Sequence, residues 1–303
     1  MTGSAEYSVP SSADMAARQN SPKALRLLLA QRRLHTQAKR WQSLRWIGLL
    51  LLGVAAPFVA VLVPGSAVVI GAITGLWLFV GRTILAWIEA RMMTKAAAIQ
   101  ELLDLYIFGM PTPIERTSTP SLEEISALAG DEEGLRAAAE REKLIDWYPI
   151  VSDHDGVESV AIAQRANASY TDKLIRTTVW VWAAGTLIWI IFLIVWSSLS
   201  ALTFGAILLG VIFPVLPAAL DAVEYLLSTW RAAHDRADLA NTIQARIEGG
   251  HDILGEDLVA WQVQMYDLRR TTPQAPNWLY WLTRDRNEAA MHAAADQLRG
   301  SKG

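Results

Sequence analysis

His154 lies between Asp153 and Asp155, the only histidine flanked by a carboxylate on both sides. A closed metal site needs ligands held in fixed geometry, and such a cluster in a polar loop is more often a solvated turn. The other four histidines are scattered and there is no cysteine. That excludes a disulfide scaffold and cysteine-held zinc. No P-loop, glycine-rich dinucleotide fingerprint, HExxH helix or nucleophile-elbow serine occurs in the chain. Neither enzymatic chemistry nor a cofactor is expected. The remaining charges of interest, Arg82, Asp221 and Glu224, stand at the edges of long apolar stretches.

Those stretches dominate the composition. Of the 303 residues, 52% are apolar and 19% charged, with a mean hydropathy of +0.23. Residues 46–81 and 177–220 contain no charged residue. One helix needs about 20 residues to cross the roughly 30 Å hydrocarbon core, so each block must fold back once. Pro64-Gly65-Ser66 is the expected turn of the first block, since Pro breaks a helix and Gly accepts unusual dihedrals. In the second block the turn falls at the polar cluster Trp196-Ser197-Ser198-Leu199-Ser200. The spans are thus expected at 46–63, 67–88, 178–196 and 202–220. A buried core hairpin in a soluble protein is disfavoured, because apolar core helices rarely run beyond 10–14 residues.

Basic residues set the expected orientation. Eight of them lie between Arg18 and Arg45, with no Asp or Glu among them. Arg91 and Lys95 follow the second span, Lys173 and Arg176 precede the third, and Arg231 and Arg236 follow the fourth. Both hairpin turns are uncharged. Lys and Arg near span ends stay in the cytoplasm, so both termini and the central loop are expected there. Arg82 either snorkels to the headgroups from the inner end of its span or lines a pore.

The expected organisation has five parts. Residues 1–42 hold a disordered start and a basic amphipathic helix opened by Ser21-Pro22, which either lies on anionic lipid or leads directly into the first span. Residues 43–90 and 177–222 are the transmembrane hairpins. Residues 91–176 and 223–303 are helical cytoplasmic regions. Ser121 and Glu124 form a capping-box pattern, Gly249-Gly250 ends a helical extension, and Pro273 and Pro276 break the last region. The fold class is an all-α membrane protein.

Several phrases carry a resemblance over residues 18–295. They include Arg18-Gln19-Asn20, Lys95-Ala96-Ala97-Ala98-Ile99-Gln100-Glu101, Asp146-Trp147-Tyr148-Pro149, Gln164-Arg165-Ala166-Asn167, Pro214-Val215-Leu216-Pro217, Tyr266-Asp267-Leu268-Arg269-Arg270 and Asn277-Trp278-Leu279-Tyr280. In that order, around four spans, the chain resembles the S-4TM family of pore-forming effectors in bacterial nucleotide-second-messenger antiphage defence. Leu268 departs from the family motif, which often has His there. The resemblance implies an effector of the bacterial inner membrane that senses a cyclic oligonucleotide on its cytoplasmic side and then opens or disrupts the membrane.

That implication assigns candidate residues. A nucleotide needs cations for phosphates and aromatic faces for bases. Arg165, Arg269 and Arg270 supply the first, Trp147, Tyr148 and Tyr266 the second, and Asn167 a polar contact. Four apolar helices cannot enclose a wide aqueous pore alone, so a homo-oligomer in the bilayer is expected. Gly71 and Gly75 form a GxxxG pattern that allows close helix approach, within one protomer or between copies. Pro214 and Pro217 kink the fourth span as a hinge or a static bend. Asp221 and Glu224, three residues apart, share a helical face and form either a carboxylate ring or a solvated helix end. No nucleic-acid polymer is expected as a partner. Two other functions fit the sequence: an ion channel or transporter without a defence role, and a membrane adaptor that binds a protein.

Overall fold

The structure, a computed structural model, describes residues 7–63, 65–250 and 252–300, without the side chains of Ala67 and Pro214. Every regular element among them is helical. The chain runs through α1 (Ser12–Gln19), α2 (Pro22–Leu62), α3 (Ala67–Val80) and α4 (Ala86–Phe108). The shorter α5 (Leu122–Ala129) and α6 (Glu132–Arg141) follow, then the 44-residue α7 (Gly156–Leu199). The rest is α8 (Phe204–Ile207), α9 (Phe213–Glu248), α10 (Gly255–Thr271) and α11 (Asn277–Gly300). One π turn, Gly81–Leu85, joins α3 to α4, and another, Leu208–Ile212, joins α8 to α9.

Three helices are long and apolar enough to cross a membrane: Pro22–Leu62, Val68–Phe108 and Gly156–Leu199. Phe204–Ile212 and Val215–Glu248 make a fourth if that pair, bent by 54°, is one span. The bend falls at Phe213 and Pro214, just after a π turn, as expected where proline removes a backbone donor and the ladder is disturbed. Pro57 and Pro217 also lie inside helices. Of the expected first turn, Gly65 takes a left-handed φ of 79° and Pro64 lies outside the described residues.

The spans do not stop at the membrane boundary. α2 has 41 residues, roughly 60 Å at the helical rise, about twice what a bilayer core needs. Ser21 caps its start by accepting from the Ala24 amide, and Pro22 occupies the first turn. Nothing between Lys39 and Trp46 interrupts it. α7 crosses the same boundary, and so do the joined helices α3–α4 and α8–α9. Each therefore has an apolar half and a half that builds a soluble core.

In that core, Leu25, Leu28 and Leu29 are 0–2% exposed. They join Ile99, Leu103 and Phe108 of α4, Val160 and Ile162 of α7, and Ile243 and Ile247 of α9 in one cluster. This decides between the two readings of the basic helix. Its leucines pack on protein and so cannot lie on lipid. The start of the chain also differs from expectation. Ser11 accepts from the Asp14 amide and caps α1, whose Met15 is fully buried. Residues 12–19 are therefore helical, and residues 1–6 lie outside the described residues.

The apolar halves are packed differently. Between 17% and 22% of the best apolar window in each of the three long helices is buried. The contacts between spans are local and close. A Cβ on Gly48 would sit 2.0 Å from the Trp77 ring. Phe58 meets Trp189, Phe192 and Trp196 in tilted ring contacts, which tie α2 to α7. Gly71 and Gly75, by contrast, have no atom within 4 Å of where a Cβ would stand. They face out of the protomer.

Candidate functional site

The soluble half encloses a cavity of about 900 Å³, in the size range of small-molecule sites. α2 supplies Arg32, His35 and Lys39; the loop after α6 supplies Trp147 and Tyr148. α7 adds Asn167 and Tyr170, α9 adds Arg236, α10 adds Arg269, and α11 adds Tyr280, Trp281 and Arg284. The wall carries seven Lys and Arg side chains against four carboxylates. Aromatic faces line it beside the cations. Arg32 and Arg284 lie 5.2 and 5.7 Å from the Tyr280 ring centre, and both also approach Trp281.

A buried network holds this wall in place. Asp104 of α4 is fully buried and accepts from Tyr148 Oη at 2.5 Å, Gln262 Nε2 at 2.7 Å and Arg269 Nη1 at 2.5 Å. Gln262 Oε1 in turn accepts from Gln164 Nε2. A carboxylate buried this deeply needs such partners, because an unpaired charge in low dielectric is very costly. Burial alone lowers the Arg269 guanidinium, but the Asp104 carboxylate outweighs it and holds Arg269 above its usual value. Burial and then the same carboxylate push the Tyr148 phenol well up. Arg269 and Tyr148 are therefore respectively charged and neutral at neutral pH.

Two other cations form no ion pair with a carboxylate among the described residues, although Asp172 lies close enough to Arg236 to act on its charge. Arg236, 3% exposed, donates from Nη2 to the Leu268 carbonyl and to Thr272 Oγ1, while its Nε has no partner among the described residues. It forms no ion pair within 4 Å among those residues. Burial, then the Arg269 charge, lower it to about 9. Lys39 donates to Asn277 Oδ1 at 3.0 Å. Burial and the Arg32 charge lower it to about 8. His35, beside both, is pushed down to about 3 by burial and then by the surrounding cations, so it is neutral at physiological pH. The cavity thus holds positive charge that the protein leaves partly uncompensated.

The structure brings Trp147, Tyr148, Asn167 and Arg269 together at this cavity. It places the other three sequence candidates elsewhere. Arg165 turns toward α9 and donates to Gln244 Oε1 at 2.8 Å. Tyr266 packs on Ala97 and Ala98 under Arg116, whose guanidinium lies 3.8 Å from its ring centre and pairs with Glu101. Arg270 pairs with Asp267 at 2.9 Å. It lines a second cavity, of about 510 Å³, at the inner ends of the spans. Arg32, Lys39, Arg236, Tyr280 and Arg284 are not among the ligand candidates of the sequence; they come from three helices far apart in the chain.

The second cavity contains the candidate gate charges. Arg82, in the π turn of α3–α4, pairs with both Asp221 and Glu224 of α9. A π turn adds a residue to a helical turn and often marks functional positions. Here it carries the charge that ties one long hairpin to the other. Arg82, with 47% of its side chain exposed, thus has two protein partners. Asp221 and Glu224 do share a helical face, and one guanidinium bridges them. The segment Arg270–Pro273 separates the two cavities: Thr272 contacts Arg236 of the first and lines the second. At the Asp153–Asp155 turn, Asp155 caps α7 by accepting from the Glu158 amide, and the His154 carbonyl accepts from Ser12 Oγ. Among the described residues no group of three or more His, Asp or Glu side chains is placed to hold a metal.

No curated protein and no solved structure matches the chain. The family model of the SMODS-associating 4TM effector domain matches residues 13–298, nearly its whole length. With apolar helices long enough for the membrane and a helical soluble half, the chain belongs to the family of SMODS-associating 4TM effector domains.

Proposed function

We propose that this chain is an effector of the bacterial inner membrane whose basic, aromatic cavity binds a cyclic oligonucleotide on the cytoplasmic side. Occupancy of the cavity then makes the membrane leak. The observation that carries this reading is the pair of uncompensated cations, Arg236 and Lys39, beside Trp147, Tyr148, Tyr280 and Trp281. Phosphodiesters would complete the charge, and bases would stack on the rings. The volume of about 900 Å³ suits a ligand larger than a mononucleotide. The distribution of Lys and Arg supports a cytoplasmic location for both termini and this cavity.

The route to the membrane runs through shared elements. Arg236 and the gate carboxylates lie on one helix, α9, and Arg236 also holds the α10–α11 turn that walls the second cavity. An anion that engages Arg236 competes with its bonds to Leu268 and Thr272, and so acts on the packing around Arg82. The conducting form is a homo-oligomer, and the outward-facing Gly71 and Gly75 offer a close-approach surface for it. Calorimetric titration of the full chain in nanodiscs with a panel of cyclic di- and trinucleotides tests the reading. One member should bind with an affinity that weakens as salt rises. Heat-silent titrations with every member would reject the ligand.

A further inference from the structure

Large exposed apolar side chains outside a membrane need a partner. At the start of α11, Trp278, Trp281 and Leu282 are 57%, 51% and 75% exposed. They stand at i, i+3 and i+4, so they share one helical face. Along that face the next exposed residues are Asp285 and Arg286. The apolar stripe therefore covers only the first two turns and gives way to charge.

The position of those turns is fixed by two contacts. Lys39 Nζ bonds the side chain of Asn277, and Tyr280 packs with Leu174. Leu174 precedes the uncharged stretch of α7 by three residues and Lys39 that of α2 by seven. At the helical rise those are depths of about 5 and 10 Å below the apolar spans. The headgroup region adds about 5–7 Å per leaflet. Nearer the bilayer, three residues inside the uncharged stretch of α7, Trp180 meets Trp230 edge to face at 6.5 Å, with the Arg176 guanidinium 5.2 Å from the Trp230 ring. Tryptophan at that depth favours the membrane interface.

We infer that the first two turns of α11 form an interfacial anchor, with Trp278, Trp281 and Leu282 seated in the headgroup region of the leaflet that the soluble half faces. The helix then descends from the membrane, with Arg284 donating to the Lys143 carbonyl and Leu298 in the soluble core. Since Tyr280 and Trp281 also line the large cavity, one of its walls rests on the bilayer. The occupant is lipid, because the exposed apolar face is confined to the two turns of α11 nearest the apolar spans and the neighbouring cations Lys173 and Arg176 suit anionic headgroups.

The cysteine-free chain permits a direct test. Nitroxide is attached to Trp278→Cys and to Leu282→Cys in the full chain, reconstituted in nanodiscs with anionic lipid. Leu187→Cys, in the apolar half of α7, and Leu122→Cys, exposed on α5, are the lipid and water references. Collision with oxygen should exceed collision with a water-soluble nickel chelate at both anchor positions, as at 187. Preference for the chelate at either position, as at 122, overturns the anchor. So does low access to both reagents, which marks a second protein surface instead of lipid.

Discussion

The two halves of each long helix obey different packing rules. Around Leu28, Ile99, Ile162 and Ile243 the helices bury their apolar side chains almost completely. Beyond the boundary α2 and α7, continuous in backbone, leave Leu51, Leu187 and Ile194 more than half exposed. The first half folds as a soluble protein does, by removing apolar surface from water. The second cannot do so within one protomer and needs lipid or further copies as its solvent. Charge follows the same division. In the soluble half Asp104 and Arg269 are both buried and pair with each other, whereas at the spans a single guanidinium, Arg82, joins α3–α4 to α9. The soluble half is therefore the closely packed part, and the spans are the part whose packing is open to change.

This contrast can be broken at its strongest point first. Asp104→Ala leaves the buried Arg269 without a counter-charge and should cost about 3–5 kcal/mol of unfolding free energy in nanodiscs. Pairing it with Arg269→Met should recover much of that loss, since apolar replacements of both partners are often neutral. Next, Leu28→Ala should destabilise by about 2–5 kcal/mol through cavity formation. Leu187→Ala, on the lipid-facing side of α7, should change stability by less than about 0.5 kcal/mol. Equal effects at the two leucines would erase the distinction between the halves.

At the gate the readout is leakage. Arg82→Gln removes the charge between the hairpins and should give membrane leak without added nucleotide, while unfolding of the soluble half stays within about 0.5 kcal/mol of the parent. A dye-tight Arg82→Gln protein would remove the ion cluster from the account. The smallest effect concerns pH. The Lys39 ammonium sits at about 8, below its usual value, so its charge opposes folding at lower pH. That cost fades as pH climbs from about 8 toward the unfolded value near 10.4. Nucleotide binding has the opposite dependence, because the phosphate needs the charge. Affinity should fall as pH rises past 8, by about tenfold for each unit by which the ligand raises Lys39. Lys39→Gln should flatten the profile, and His35, neutral down to about 3, should add nothing between pH 5 and 9.

Much of the architecture was legible in the chain. The turns within the two uncharged blocks, the Ser121 cap, the Gly249 stop and the proline breaks all correspond to observed helix limits, because each depends on local chemistry. The continuity of α2 was not separated from an interfacial helix, since Leu25, Leu28 and Leu29 give the same stripe against lipid or against α4 and α7. Residues 12–19 were masked by their small, polar composition, although Ser11 and Asp14 offer a cap. At the site, helix period alone could have separated Arg269 from Arg270, because neighbours in a helix point about 100° apart. It also groups Tyr266 with Arg270, four residues on, as observed at 6.0 Å. The meeting of Tyr148, Asp104 and Arg269 depends on tertiary packing across 165 residues and no local pattern announces it. Asp104 left one sign: a single acid inside the apolar run Leu102–Phe108.

The central claim is that occupancy of the soluble cavity controls the permeability of the spans. A membrane-potential dye in cells expressing the chain, with and without each cyclic oligonucleotide, tests it most directly, with Arg236→Gln as the paired variant. The account predicts depolarisation by one nucleotide in the parent chain and none in Arg236→Gln. An unchanged potential with every nucleotide, in cells where the chain is shown to be inserted, would contradict it, as would an equal response from Arg236→Gln.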